Sequence, residues 1–225
     1  MLFAIGDIHG YFDKLMALMG HCRTMANAAG DEARFVLLGD YVDRGPDSNK
    51  VLTFLASRPD GVQAVRGNHE DMMLHARDDM ESRERWLRNG GVETLGSYGA
   101  LSPGEIPADH LDCIARLPLS IDNGRQLFVH AGIDPDDPDG RDPHILLWTR
   151  KHPPDDAILA RFVVHGHTPT KDARPDLRPN RLNLDTGAGF GRVLTAAAFN
   201  ELDALPDFFI SHLGEITKPP QPERK

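Results

Sequence analysis

The sequence RFVLLGDYVDRG, residues 34–45, decides the fold, because a short apolar run leads directly into glycine and acidic residues. The chain opens in the same way, with LFAI at residues 2–5 followed by GDIHG. Such near-continuous apolar runs are typical of β-strands that are covered on both faces. Three later runs repeat the arrangement, at residues 62–65 before RGNHE, at 126–129 before HAG and at 161–164 before HGHT.

Helical patterns separate the first three runs. Apolar residues recur at helical spacing across residues 12–22 and again across residues 48–57, where Ser48 is placed to cap the helix. Alternating strands and helices predict parallel βαβ units. Hairpin-like runs at 182–185, 193–199 and 208–212 predict further strands and a second sheet packed on the first. The predicted fold class is therefore α/β, with two packed sheets and flanking helices.

The polar clusters that follow the strands are expected to meet. In open α/β sheets, ligands bind beyond the carboxyl ends of the strands, so five such clusters converge on one edge. The segment at about 70–116 interrupts the alternation with helical, charge-rich sequence and the tight turn NGG at residues 89–91. We expect this segment to form a small helical cap beside the site.

The converging side chains suit a metal centre. They are carboxylates, imidazoles and one amide without sulfur, a set that favours Mn, Fe, Zn or Mg. The set is too large for one ion, and a carboxylate such as Asp40 can bridge two. A dinuclear centre is therefore predicted from the following residues: Asp7, His9, Asp40, Asp43, Asn68, His69, His130 and His167.

Composition limits the class of protein. The 225 residues carry 25 Lys and Arg against 34 Asp and Glu, a formal net charge of −9, and 40% of them are apolar. An acidic chain without clustered basic residues is a poor binder of nucleic acid or anionic membranes. We expect one domain over residues 1–216 and a flexible, proline-rich tail over 217–225. The start of the chain lacks the pattern of a signal peptide, so we expect a cytoplasmic protein.

The motifs together resemble a known family. GDIHG (6–10), GDYVDRG (39–45), RGNHE (66–70), HAG (130–132) and HGHT (165–168) are similar to those of the phosphoprotein phosphatase family. The likeness is to its bacterial and phage lambda phosphatase-like subgroup within the calcineurin-like metallophosphoesterases, and it spans roughly residues 2–199. It implies the fold of that superfamily, in which two mixed β-sheets pack together between helices.

The resemblance also implies roles for individual residues. Two divalent ions are implied, most simply Mn²⁺, with Fe or Zn as alternatives. The implied reaction is direct in-line attack of a metal-bridging hydroxide on a phosphomonoester. Its general acid would be His69, oriented by Asp43. The implied ligands are Asp7, His9 and Asp40 for one ion, Asp40, Asn68, His130 and His167 for the other, and Arg44, Arg66 and Arg150 for the phosphate.

The function that we expect is a protein serine/threonine phosphatase, with phosphotyrosine left open. The substrate would be a phosphorylated protein or peptide, without nucleic acid, membrane or an evident regulatory subunit as partner. The main alternative is a symmetric bis(5'-nucleosyl)-tetraphosphatase. One subgroup of these enzymes has the motifs Gly-Asn-His-Asp and Val-Ala-Arg-Gly where this chain has Glu70 and Asp43, so both positions favour a protein phosphatase. Metallophosphodiesterases usually have the motif Gly-His-x-His, and Pro169 stands where that motif has its second histidine, which argues against this class. A non-catalytic phosphoprotein-binding module is a remote alternative.

Several residues near the motifs are interpreted as structural. Asp185 closes a strand in a glycine-rich turn, and the acidic stretch 134–142 is interpreted as a solvated loop. A supporting role for His165 is left open, as is the choice between packing and lining the cleft for Trp86 and Trp148. Ordinary surface or helix positions are expected for His21, His75, His110, His144, His152 and His212.

Overall fold

The computed structural model of this chain describes residues 1–134, 136, 142–200 and 202–220. Its strands are β1 (Leu2–Ile5), β2 (Arg34–Leu37), β3 (Val62–Ala64), β4 (Ser120–Asp122), β5 (Gln126–Val129), β6 (Phe162–His165), β7 (Asp176–Leu177), β8 (Arg181–Asn183), β9 (Thr195–Phe199), β10 (Phe208–Ser211) and β11 (Ile216–Thr217). Its helices are α1 (Phe12–Ala28), α2 (Ser48–Ala56), α3 (Asn68–His75), α4 (Met80–Trp86), α5 (Val92–Tyr98), α6 (Ala108–Ala115) and α7 (Pro143–Trp148). A π-helical turn, Leu87–Gly91, joins α4 to α5.

The first sheet has the strand order β11-β10-β9-β1-β2-β3. β1 pairs in parallel with β2, and β2 pairs in parallel with β3, as the βαβ pattern predicts. On its other side β1 pairs antiparallel with β9, so that Ala4 lies between Val36 and Ala197. The sheet is therefore mixed, with the parallel strands at one end.

The second sheet has the order β4-β5-β6-β8-β7, in which β5, β6 and β8 are mutually parallel neighbours. Two packed sheets are confirmed, but their predicted membership is wrong in part. Of the three late runs only the one at β8 joins the second sheet, whereas β9 and β10 extend the first. The sequence TAAAF of β9 is buried throughout, and such a strand fits a central position that is covered on both faces.

The core lies on both faces of the first sheet. Because successive strand residues point to opposite faces, Phe3 and Ile5 pack with residues of α1 and α2, while Ala4 packs toward the second sheet. Between the sheets, the rings of Phe128 and Phe199 meet edge to face at 6.3 Å. The strand ends are thus held between two well-packed layers.

The helical segment at 70–116 has the predicted character. The helices α5 and α6 both pack on α2, which follows the GDYVDRG loop. One local prediction is wrong, because α2 begins at Ser48, and Asp47 occupies the cap position without a side-chain hydrogen bond. The Ser48 hydroxyl instead accepts a hydrogen bond from the Asp43 amide at 3.1 Å.

In β11, Thr217 pairs with Phe209, so the last strand includes the first residue of the predicted tail. Residues 221–225 lie outside the described ranges, as does most of the acidic stretch 134–142. No helix among the described residues combines the length and the apolar character needed to cross a bilayer.

Candidate active site

The predicted metal ligands meet at the carboxyl ends of the strands. Asp7 and His9 both follow β1, whereas Asp40, Asn68, His130 and His167 follow β2, β3, β5 and β6, and all six are at most 8% exposed. Asp40 is central: its Oδ2 lies 3.5 Å from His9 Nε2, and its Oδ1 lies 3.2 Å from His130 Nε2. Two groups of residues each bring their possible ligand atoms within 4.8 Å of one another. One group is His9, Asp40 and His69, and the other is Asp40, His130 and His167. The structure thus places one carboxylate between two candidate cation sites.

Asn68 completes the second of these sites. Its Oδ1 lies 2.8 Å from His130 Nε2 and 2.9 Å from His167 Nδ1. The amide that follows β3 therefore joins histidines that follow β5 and β6, as the motif order predicts.

The tautomers of two histidines indicate that a cation belongs here. The Nδ1 atoms of His9 and His130 donate to the backbone carbonyls of Val42 at 2.9 Å and Leu38 at 2.8 Å. The Nε2 atom of each neutral ring is then a lone pair turned toward the site. In His130 this lone pair faces the oxygens of Asn68 and Asp40 without a proton between them. A positive ion would relieve that repulsion.

The protonation states agree with this requirement. Burial lowers the pKa of His9 and of His130, and burial followed by the nearby His130 lowers the pKa of His167 to about 3. Although burial opposes its ionisation, His130, His69 and His9 hold the pKa of Asp40 below its usual range. Neutral imidazoles around an ionised carboxylate are the forms in which these groups bind metal.

Asp7 lies on the other side of the site, where both of its carboxylate oxygens accept hydrogen bonds from the His167 amide at 3.1–3.2 Å. The packing is close: a Cβ on Gly166 would lie 2.0 Å from Asp7 Oδ1. Asp185 is buried close to Asp7, and burial raises the pKa of Asp185 to about 6. Our interpretation of Asp185 as a turn residue missed this contact, although its place at the end of a strand was a usable signal.

The loops that carry these residues have an unusual backbone. Of the seven described residues other than glycine with positive φ angles, five lie in these loops, and Arg58 and Ala173 lie elsewhere. The five are His9 (48°), Asp40 (53°), Asp43 (74°), Arg44 (69°) and His167 (69°). Residues other than glycine rarely adopt this region, and when they do they cluster at functional sites.

His69 and Asp43 form the predicted pair. His69 Nδ1 donates to Asp43 Oδ2 at 2.6 Å, and both side chains are at most 3% exposed. Burial opposes protonation of His69, but Asp40 and the hydrogen bond to Asp43 raise its pKa above the usual value. The Nδ1 proton is thus held on the side of Asp43, and Nε2 is directed into the site.

The three predicted phosphate ligands differ in position. Arg44 lies in the site, with Nη1 at 2.6 Å from His9 Nε2 and Nη2 at 2.9 Å from His69 Nε2. Arg66 is half-buried, and its Nε has no hydrogen-bond partner among the described residues. Arg150 is exposed at the rim, where with Trp148 and His167 it lines an open cleft of about 510 Å³.

Sequence reasoning missed the role of Glu70. Its buried carboxylate accepts hydrogen bonds at 2.7–3.2 Å from the amides of Asp40, Tyr41, Val42 and Gly67. Glu70 therefore ties the RGNHE motif to the GDYVDRG loop. Only the spacing of a capping box hinted at part of this role.

The remaining histidines mostly occupy ordinary positions. His165 is buried and stacks on His152 with ring centroids 4.6 Å apart, outside both candidate cation sites. His152 thus packs inside the fold more than predicted. His110, in α6, is buried against the Tyr98 hydroxyl, with 2.7 Å between Nδ1 and the oxygen.

Comparison with known proteins agrees with this geometry. The family model described as calcineurin-like phosphoesterase matches residues 2–193. The chain is 34% identical over 210 residues to serine/threonine-protein phosphatase 1 of Salmonella typhimurium, covering 87% of this chain and 90% of that protein. It is 30% identical over 229 residues to the asymmetrical bis(5'-nucleosyl)-tetraphosphatase PrpE of Bacillus subtilis, covering 89% and 91%.

Solved structures show the same fold at low sequence identity. The cold-active protein-tyrosine phosphatase of a psychrophilic Shewanella has a TM-score of 0.62 at 18% identity, over 96% of this chain and 79% of that one. A putative diadenosine tetraphosphatase has a TM-score of 0.57 at 22% identity, over 93% and 91%. Because the family model spans most of a chain whose strand ends assemble these donors, the chain belongs to the calcineurin-like phosphoesterases, within them to the phosphoprotein phosphatase family, and is a hydrolase of phosphate esters.

Proposed function

We propose that this hydrolase is a metal-dependent phosphomonoesterase that acts on phosphorylated proteins, with phosphoserine and phosphothreonine as its first substrates. The observation that carries the proposal is the His69–Asp43 pair, joined at 2.6 Å beside the assembled donor set. Hydrolysis of a phosphoserine monoester releases the serine oxygen as an alkoxide. An alkoxide is a poor leaving group and needs a proton from a general acid.

The residues fit two divalent cations. Asp7, His9 and Asp40 would hold one, and Asp40, Asn68, His130 and His167 the other, because Asp40 lies between His9 and His130 and the Asn68 oxygen lies beside His130 and His167. When bound, such a pair of ions polarises a phosphoryl oxygen and lowers the pKa of bound water. Mn²⁺ is our proposal for the metal, with Fe or Zn as alternatives suited to the same donors.

The chain's own side chains supply the remaining chemistry. Arg44 would donate to the phosphoryl oxygens through its two Nη atoms, which already lie at the donor set. His69 would give its Nε2 proton to the leaving oxygen, and Asp43 holds that ring in the required orientation. Arg66 and Arg150 would bind the phosphate or the parts of the substrate next to it.

A protein substrate is favoured by likeness to the Salmonella enzyme, whose name is serine/threonine-protein phosphatase 1. Hydrolysis of dinucleoside tetraphosphates is the second candidate, because several relatives are named as asymmetrical tetraphosphatases. That finding supports the substrate class of our sequence-based alternative but not its symmetric cleavage. The proposal includes no nucleic-acid partner, membrane or regulatory subunit.

The test compares the two substrate classes on the same protein. Metal-free protein is reconstituted with Mn²⁺ and assayed for kcat/KM against phosphoserine, phosphothreonine and phosphotyrosine peptides and diadenosine tetraphosphate. We expect higher values for phosphopeptides, and a preference for the dinucleotide would reverse our choice. The Asp40→Asn variant, prepared identically, controls for contaminating phosphatases. Phosphopeptide binding without phosphate release would favour a non-catalytic binding module instead.

A further inference from the structure

The helical cap reaches the catalytic pair through two side chains. We propose that Trp86 and Thr94 are positioning residues, which hold Asp43 so that His69 presents its acidic proton to the leaving group. The inference rests on the proposed phosphomonoesterase function and deepens it, because it makes the cap part of the acid machinery.

The carboxylate of Asp43 is fully buried and receives its hydrogen bonds from three sources. Trp86 Nε1 lies 3.0 Å from Oδ1 and 3.1 Å from Oδ2, and the Thr94 hydroxyl donates to Oδ1 at 2.7 Å. His69 occupies Oδ2. Since an ionised carboxylate only accepts hydrogen bonds, the two cap donors fix its orientation, and Oδ2 faces the histidine.

The cap also holds the backbone of the loop that carries Asp43 and Arg44. Asp43 donates its amide to Thr94 Oγ1 at 2.9 Å, and Arg44 donates its amide to the Gly90 carbonyl at 3.2 Å. Both loop residues have positive φ angles, 74° and 69°. Strained residues of this kind persist only where the surrounding structure over-determines them.

The fit between cap and loop requires glycine in the π-helical turn. Gly90 has φ +109°, and a Cβ placed on it would lie 2.8 Å from the amide nitrogen and Cγ of Arg44. On Gly91 a Cβ would lie 2.5 Å from the Trp86 ring. The NGG sequence therefore brings the cap into direct contact with the loop that carries the acid's partner.

This arrangement sets the tautomer of His69. With Asp43 immobilised, His69 donates its Nδ1 proton to the carboxylate and directs Nε2 into the site, 2.9 Å from Arg44 Nη2. Because a guanidinium only donates, Arg44 would turn to the phosphoryl oxygens when Nε2 carries the acidic proton. Removing a cap donor should loosen the carboxylate and misalign the proton. The loss should be greatest for leaving groups that need protonation.

The experiment measures kcat on a phosphoserine peptide and on p-nitrophenyl phosphate, whose leaving group needs little protonation. Thr94→Val removes the hydroxyl at nearly constant volume, and Thr94→Ser retains it. Trp86→Phe removes the other donor and keeps an aromatic ring. Thr53→Val, the same change at an exposed position of α2, is the matched control.

We expect Thr94→Val and Trp86→Phe to lose about ten-fold more kcat on the phosphopeptide than on the aryl ester, a fraction of the full effect of a general acid. The Thr94→Ser variant should recover most of the difference, with KM and metal content near those of the wild type. Equal losses on both substrates, or no loss, would overturn the inference. If Thr94→Val does not fold, Trp86→Phe decides alone. A wild-type protein inactive on both monoesters would instead defeat the proposed function.

Discussion

At the scale of single residues, Asp40 lies between the two candidate cation sites. One oxygen lies near His9 and the other near His130, at 3.5 and 3.2 Å. Its amide is held by Glu70 at 2.9 Å, and its Oδ1 also accepts a hydrogen bond from the His69 amide at 3.1 Å. The position of Asp40 between the two candidate cation sites is thus fixed by hydrogen bonds within the protein.

The acid role of His69 can be tested by substitution. With Mn²⁺ present, His69→Asn should lose about 10²-fold or more in kcat on a phosphoserine peptide, since it removes general acid catalysis. On p-nitrophenyl phosphate the loss should be much smaller, because that leaving group departs as a stable anion. Steady-state kinetics on both substrates give the comparison. Equal losses would count against the acid role.

Glu70 should matter for stability. A Glu70→Gln substitution replaces an acceptor for four amides with a side chain that brings its own donors. We expect a loss of about 3 kcal/mol in the free energy of unfolding, because buried donors are left unpaired. Urea unfolding measures it, and Glu81→Gln, at an exposed helix position, is the control. A cost similar to that control would show that the four contacts carry little free energy.

At the scale of elements, the β9–β10 pair is closed by a reciprocal contact. The Leu194 amide donates to His212 Nδ1 at 3.1 Å, and the His212 amide donates to the Leu194 carbonyl at 2.9 Å. Only an unprotonated Nδ1 accepts the first of these bonds. This links the pairing of the two strands to pH.

A pH dependence of stability follows. Burial, with Lys14 nearby, lowers the pKa of His212 below its ordinary value of 6.5. As pH falls through 6.5 the unfolded chain binds a proton that the folded chain resists, so stability is lost below that pH. We expect the wild type to lose more free energy of unfolding between pH 8 and pH 5.5 than His212→Gln. Urea titrations at both pH values measure it, and an equal loss in both proteins would contradict the assignment.

At the scale of the whole molecule, the net charge of −9 would be reversed locally by cations bound at the site. Part of the acidic excess consists of buried carboxylates such as Asp7 and Asp40, which would be neutralised by bound cations. Arg44 adds positive charge at the same place. An acidic protein can therefore bind a phosphate in one cleft while repelling polyanions elsewhere.

Metal binding should stabilise the entire fold. Ions that bind only the native state raise its stability, by about 2.7 kcal/mol per site at a hundred times the dissociation constant. We expect two Mn²⁺ per chain by elemental analysis and a higher melting temperature than after chelation. The Asp40→Asn variant should bind fewer ions and show a smaller increase, while Asp60→Asn, at an exposed position, should resemble the wild type. Full occupancy in Asp40→Asn would refute the bridging role.

Much of the site was predictable because each candidate metal ligand belongs to a recognisable local sequence pattern. An apolar run followed by Gly-Asp or by histidine marks a strand end, and strand ends of a parallel sheet share an edge. This reasoning accounts for Asp7, Asp40 and Asn68, which follow β1, β2 and β3 of the first sheet. The expectation of a single edge was wrong for His130 and His167, because these follow β5 and β6 of the second sheet and reach the site through the packing of the two sheets. The sheet to which β9 and β10 belong was not predictable, because pairing between distant strands leaves no local pattern.

By itself, then, the sequence determined the strand ends, the donor types and the family, since these depend on neighbours in the chain. Only the tertiary structure decided what holds the donors in place. Trp86 and Thr94 lie 43 and 51 positions from Asp43 in the chain and still bind its carboxylate. Buried hydrogen bonds between such distant segments are selected by the packing of the whole fold, because each buried polar group must find a partner wherever the chain brings one.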